Sequence, residues 1–129
     1  MYEDDAQILK LQTIIYSIQN GASGQPALFK KVSAAAVVEM VESIENMQIL
    51  YGEDTDGDSS PNYYVPAGTV GLDMDQVVSI RISLLVRSID DNLTSVPRAY
   101  TYNGATTTPT DRRLRRIFSS TIAIRNRLP

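Results

Sequence analysis

Apolar and polar positions alternate along several stretches of this chain, which is the signature of extended strands. From Ile8 to Ile18, Ile8, Ile14, Tyr16 and Ile18 fall on one side of a strand and Leu9, Leu11 and Ile15 on the other. Asn20-Gly21 and Ser23-Gly24-Gln25-Pro26 then turn the chain, and Ala27 to Val32 reads as a returning strand, so the N-terminal part predicts a hairpin. The clearest strand comes later. Ile80, Ile82, Leu84 and Val86 alternate with Ser79, Arg81, Ser83 and Arg87, with Leu85 as an exception, which predicts one core face and one wet face. Near the C-terminus Phe118, Ser120, Ile122 and Ile124 alternate with Ser119, Thr121, Ala123, Arg125 and Arg127, a terminal strand.

Other stretches read differently. Residues 34–51 admit two readings, because Val37, Met40, Val41, Ile44, Met47 and Tyr51 fit one face of a helix, while strands at Val37–Val41 and Met47–Tyr51 fit equally well. Residues 52–71, rich in Gly, Asp, Ser and Pro, lack a period and predict a long loop of a length that is usually functional or mobile. Residues 93–110 form a second irregular stretch, after which Thr110 or Asp111 is placed to cap a short helical turn through Arg116.

Composition narrows the chemistry. The 129 residues, 43% hydrophobic and 21% charged, suit a single domain over residues 1–129 with one core. There is no His and no Cys, which removes imidazole- and thiol-based triads, thiol redox chemistry and zinc or copper sites built on those ligands. A metal here would be a hard cation held by oxygen. No run of about 20 apolar residues occurs, and Met1-Tyr2-Glu3-Asp4-Asp5 is unlike a secretory signal, so the sequence as it stands reads as a soluble domain.

Charge is distributed unevenly. Residues 1–110 carry 6 basic and 14 acidic side chains, whereas residues 111–129 carry 6 Arg and 1 Asp. Nine carboxylates, from Glu39 to Asp75, lie between Lys31 and Arg81 with no basic residue among them. That block needs a cation, the Arg-rich tail, a basic partner or full solvation.

Within it, Glu53-Asp54-Thr55-Asp56-Gly57-Asp58 has the spacing of the first half of a calcium loop, with Asp54, Asp56 and Asp58 at positions one, three and five. Ser59 and Val65 stand where an EF-hand needs Gly and a bidentate Glu, which excludes an EF-hand proper. A looser calcium loop completed by Glu53, Asn62 or a carbonyl stays open, beside a turn whose Asp side chains bond to their own backbone. The hexamer Asp111-Arg112-Arg113-Leu114-Arg115-Arg116 could bind phosphates, but the chain is acidic overall and no aromatic residue interleaves the arginines. Arg112, Arg113, Arg115 and Arg116 therefore read as ion-pairing groups, directed at the chain's own acidic block or at an acidic partner, and nucleic acid is not expected. Glu39 with Glu42, or Asp73 with Asp75, could serve as an acid–base pair, yet all fit exposed positions and no catalytic residue is assigned. Tyr63-Tyr64 and Tyr100-x-Tyr102 read as amphipathic rim residues.

Three segments together resemble the PilW-like minor pilins of type IV pilus assembly: Met47 to Asp58, Val77 to Ser88, and Asp111 to Phe118 continuing through Ile124-Arg125-Asn126-Arg127. The similarity covers roughly residues 25–129, the C-terminal portion of such a protein. The resemblance implies an α+β fold, mainly antiparallel sheet, forming a pilin-like globular head without the long N-terminal apolar helix that such subunits carry, so the chain is expected to be a fragment with an exposed sheet edge. It further implies a non-enzymatic role in priming pilus assembly. The expected partners are other minor pilins, the major pilin and a PilY-type tip adhesin. The expected location is the inner membrane facing the periplasm and then the pilus tip, with contact to the membrane only through that helix. The other reading, from the residues alone, is a calcium-binding β-rich adhesive or carbohydrate-binding extracellular module.

Overall fold

A computed structural model describes residues 11–124; the strand residues expected at Ile8–Lys10 and the arginines at 125 and 127 lie outside them. The described residues form two antiparallel sheets and a small hairpin. The first sheet comprises β1 (Ile14–Asn20), β2 (Pro26–Val32) and β3 (Val38–Glu42), paired in that order. The second is built from β4 (Ile44–Glu53), β5 (Tyr63–Pro66), β6 (Val77–Arg87) and β9 (Arg115–Ala123), in the order β5-β4-β6-β9. Strands β7 (Tyr100–Tyr102) and β8 (Ala105–Thr107) make the hairpin.

Local chemistry explains the turns. The β1–β2 hairpin closes where Gly21 N–H donates to the Gln25 carbonyl at 2.8 Å, with Gly24 at φ 74°. Asn103 and Gly104, at φ 51° and 78°, supply the two left-handed positions of a tight turn whose twist matches its strands, so a short hairpin forms inside a stretch that looks irregular in sequence. At residues 34–51 the strand reading holds. Ser43 at φ 66° breaks the run and sends β3 and β4 into different sheets, a conformation no helix tolerates.

Two expectations are corrected. The α part of the α+β class is missing among the described residues, whose helical structure is one 3₁₀ turn at Met74–Gln76, begun by Asp73 accepting from Asp75 N–H. The helical turn expected from Thr110 to Arg116 does not form either. Asp111 accepts from Arg113 N–H at 3.1 Å, but Leu114 is already bonded to Ser88 and β9 starts at Arg115, so pairing with β6 takes the chain before a helix can close.

The core is small. Ala27, Ile44, Val77, Val78 and Leu85 are the buried apolar residues among those described. The two sheets meet where β1 and β2 approach β4, and Arg87 Nη2 ties them by donating to Gln25 Oε1 at 2.7 Å.

The faces of the larger sheet depart from the expectation of one apolar core face and one wet face. Register places Met47, Ile49 and Tyr51 of β4 opposite Leu84, Ile82 and Ile80 of β6, which in turn lie opposite Phe118, Ser120 and Ile122 of β9. On this face the edge-strand residues Phe118 and Ile122 are 51% and 53% exposed, while Met47, Ile49, Tyr51, Ile80, Ile82 and Leu84 are half-buried. On the opposite face Ser79, Ser83 and Leu85 of β6 are buried, whereas Ile117, Ser119, Thr121 and Ala123 of the edge strand β9 are exposed. The β6 residues are covered because Tyr102 Oη donates to the Ser83 carbonyl at 2.8 Å and Tyr64 Oη bonds Ser79 Oγ at 3.0 Å, while Ser83 bonds its cross-strand neighbour Ser119 at 2.7 Å.

Candidate functional site

Three features stand out on this scaffold: the acidic loop, the arginine cluster and the open sheet face. The loop leaves β4 at Glu53, which is buried at 2% exposure. Tyr63 Oη donates to its Oε2 and Asp73 N–H to its Oε1 at 3.2 Å, so the Glu53 carboxylate is held inward. That bond to a carboxylate raises the Tyr63 phenol above its ordinary pKa.

Asp54, Asp56 and Asp58 converge, each offering a carboxylate oxygen within 4.8 Å of the others. The loop is also braced by its own amides. Asp54 Oδ1 accepts from Gly57 N–H at 2.7 Å and its Oδ2 from Ser59 N–H at 2.8 Å, and Asp58 Oδ1 accepts from Ser60 N–H at 2.8 Å. Desolvation pushes the Asp54 carboxyl up, but the backbone donors Gly57, Ser59 and Asp56 outweigh it and hold the group below its ordinary pKa. Asn62 closes the other side, accepting from Thr55 N–H at 2.7 Å and donating to Asp56 at 3.2 Å. Gly57 at φ 78° permits the tight return.

The four arginines have separate surroundings. Arg115 is inserted between two carboxylates: its Nε and Nη2 donate to Glu45 at 2.7 and 3.0 Å, and its Nη1 and Nη2 donate to Asp111 at 2.7 and 2.8 Å. Its side chain is 5% exposed and stacks 5.2 Å from the Tyr100 ring centre. This double fork raises the Arg115 pKa further and holds the Asp111 carboxyl down at about 2. Arg87 joins the network at 3.6 Å from Glu45. Arg113 donates to the Ser88 and Ile89 carbonyls, and Arg112 donates to Asn92 while its N–H bonds Asp91 at 2.8 Å. Arg116 is exposed, 5.3 Å from the Phe118 ring centre.

The sequence placed the loop aspartates together by spacing alone. Glu45 had no such signal, because its partner lies 70 residues away and only the β4–β6–β9 register joins them. The open face was misread for the same reason: what covers the other side comes from tyrosines remote in sequence.

A shallow groove of about 230 Å³ on the first sheet is lined by Lys30, Val32, Ala35, Ala36, Val38 and Met40. Another of about 460 Å³ lies beside Val86, Leu114, Arg116 and Phe118, and neither groove is lined by a carboxylate. Among the described residues no helix is long and apolar enough to cross a membrane.

Neither the curated proteins nor the solved structures give a match to the chain. One family does match, type IV pilus-assembly protein W, over residues 15–126. That span takes in both sheets, the acidic loop, the hairpin and the arginine cluster, and the chain therefore belongs to the PilW family of type IV pilus-assembly proteins.

Proposed function

We propose that this chain is the globular head of a minor pilin that helps prime type IV pilus assembly and takes its place at the pilus tip, acting by non-covalent contacts and not by catalysis. The observation that carries the reading is the apolar face built by Met47, Ile49, Tyr51, Ile80, Ile82, Leu84, Phe118 and Ile122, half-buried at its centre and exposed at Phe118 and Ile122, in a chain of a pilus-assembly family. An apolar sheet face of this extent is stable in water only when something covers it. The occupant we assign is an apolar helix of the kind that pilin subunits carry, which joins the head to the inner membrane on its periplasmic side before assembly. Other minor pilins, the major pilin and a PilY-type adhesin are then the neighbours of the assembled head, and the exposed Arg112 and Arg116 form the basic side of those contacts, Arg113 and Arg115 being engaged within the chain.

The test is co-isolation. Tagged chain mixed with solubilised minor pilins should recover at least one of them, and Ile82→Glu should lower that recovery while leaving the circular-dichroism spectrum unchanged. Recovery of none of the set by the unaltered chain contradicts the proposal.

A second reading is favoured by the convergence of Asp54, Asp56 and Asp58 within 4.8 Å: a calcium-binding loop, as in an extracellular adhesive module. Calcium at about a hundredfold excess over its Kd would add about 2.7 kcal/mol of stability. An identical melting temperature in calcium and in chelator removes this reading.

A further inference from the structure

The geometry points to the outer edge of β9 as a docking site for an extended, acid-flanked segment of another protein, which would add itself as a further strand. Strand β9 ends the order β5-β4-β6-β9. Its hydrogen-bond phase is fixed at both ends, because Ser88 N–H donates to the Leu114 carbonyl at 2.8 Å and Ile124 N–H to the Val78 carbonyl at 2.9 Å, with no register shift between. Even-numbered residues therefore bond β6. The N–H and C=O groups of Ile117, Ser119, Thr121 and Ala123 point away from it, and among the described residues no strand meets them.

Natural sheets blunt such edges with proline, charge, bulges or brevity. The opposite edge of this sheet does so: β5 is 4 residues long and ends at Pro66. Strand β9 has 9 residues, pairs without a bulge, and carries neither charge nor proline from Ile117 to Ala123. Its side chains are open as well as its backbone, with Ile117 39%, Phe118 51% and Ile122 53% exposed. A strand added here would extend the apolar row of Phe118 and Ile122 on one face while its main chain completes the ladder, the arrangement of strand-addition recognition.

Charge selects the occupant. In sequence the strand is preceded by Arg112, Arg113, Arg115 and Arg116 and followed by Arg125 and Arg127. Arg115 is committed to Glu45 and Asp111, and the exposed Arg112 and Arg116 leave positive charge at the start of the strand. A second copy of β9 paired in parallel would set these arginines against their own copies, which disfavours that pairing. A segment with acidic residues flanking an alternating apolar stretch meets complementary charge beside Arg112 and Arg116. The occupant is thus a strand from a different, acid-flanked subunit.

The probe is a synthetic peptide of alternating valine and threonine between paired glutamates, with a lysine-flanked counterpart, added to the isotopically labelled chain. The glutamate peptide should slow amide exchange at Ile117, Ser119 and Thr121, and the lysine peptide should bind about tenfold more weakly. Thr121→Pro should also weaken binding about tenfold and keep a dispersed amide spectrum, because the N–H it removes makes no ladder bond. Equal binding of the two peptides overturns the proposal, as does unchanged exchange at about 1 mM peptide or dimerisation of the free chain through these same amides. Should Thr121→Pro unfold, the comparison of the peptides decides alone. Failure here leaves the pilus-assembly reading intact, since that reading stands on the family and on co-isolation with pilins.

Discussion

Replacing Asp111 by Asn probes the ion-pair network that fixes β9 to β4. Asn retains an acceptor for Arg113 N–H and Arg115 Nη1, but it replaces the oxygen facing Arg115 Nη2, now at 2.8 Å, with a donor. The size of the effect follows from linkage. The Asp111 carboxyl is held at about 2 against an ordinary 3.8, chiefly by its bonds to Arg115. At about 1.4 kcal/mol per unit that difference corresponds to roughly 2.4 kcal/mol. The Asp111 side chain is 24% exposed, so solvent screening reduces the expectation to about 1–2 kcal/mol. A depressed folded-state pKa stabilises the fold above the ordinary value, and the contribution is lost as pH falls through the folded value. Urea unfolding near pH 6 should therefore show Asp111→Asn less stable by about 1–2 kcal/mol, with the gap closing towards zero near pH 2. A gap of the same size at both ends of that range, or none near neutrality, would refute the assignment of Asp111 as the charged partner of Arg115.

Further substitutions test the packing. Leu85→Ala should cost about 2–4 kcal/mol in a urea titration, because Leu85 is 3% exposed, whereas Ile122→Ala at 53% exposure should cost well under half as much; the opposite order would mean that the faces are assigned the wrong way round. Ser43→Gly should raise stability by about 0.5–1 kcal/mol in thermal unfolding, since Ser43 combines φ 66° with a buried hydroxyl that lacks a hydrogen-bond partner among the described residues. A loss of stability there would indicate that the hydroxyl has a role.

Much of the strand content was legible in the alternation of residues 14–18, 79–87 and 118–124, because strand periodicity is a local property. Which face of β6 is covered was not. Ser79 and Ser83 look solvent-facing by chemistry, yet Tyr64, Tyr102 and Ser119 reach them from elsewhere in the chain and satisfy their hydroxyls or carbonyls. The ambiguity at residues 34–51 was resolved by one left-handed residue, Ser43, for which sequence gives weak warning because Gly or Asn usually marks such a site. The aspartates of the acidic loop were readable as a group from their spacing, while Arg115 looked like its three neighbours in the basic hexamer. Only the pairing of β4, β6 and β9 separates it from them, by placing Glu45 beside it.

Whether the apolar sheet face makes this chain an assembly subunit is decided by co-isolation of the tagged chain with solubilised minor pilins, comparing the unaltered chain with Ile82→Glu. Minor pilins should be recovered with the unaltered chain and largely lost with the variant, whose circular dichroism stays unchanged. Equal recovery by both, or recovery of no pilin by the unaltered chain, would contradict that role.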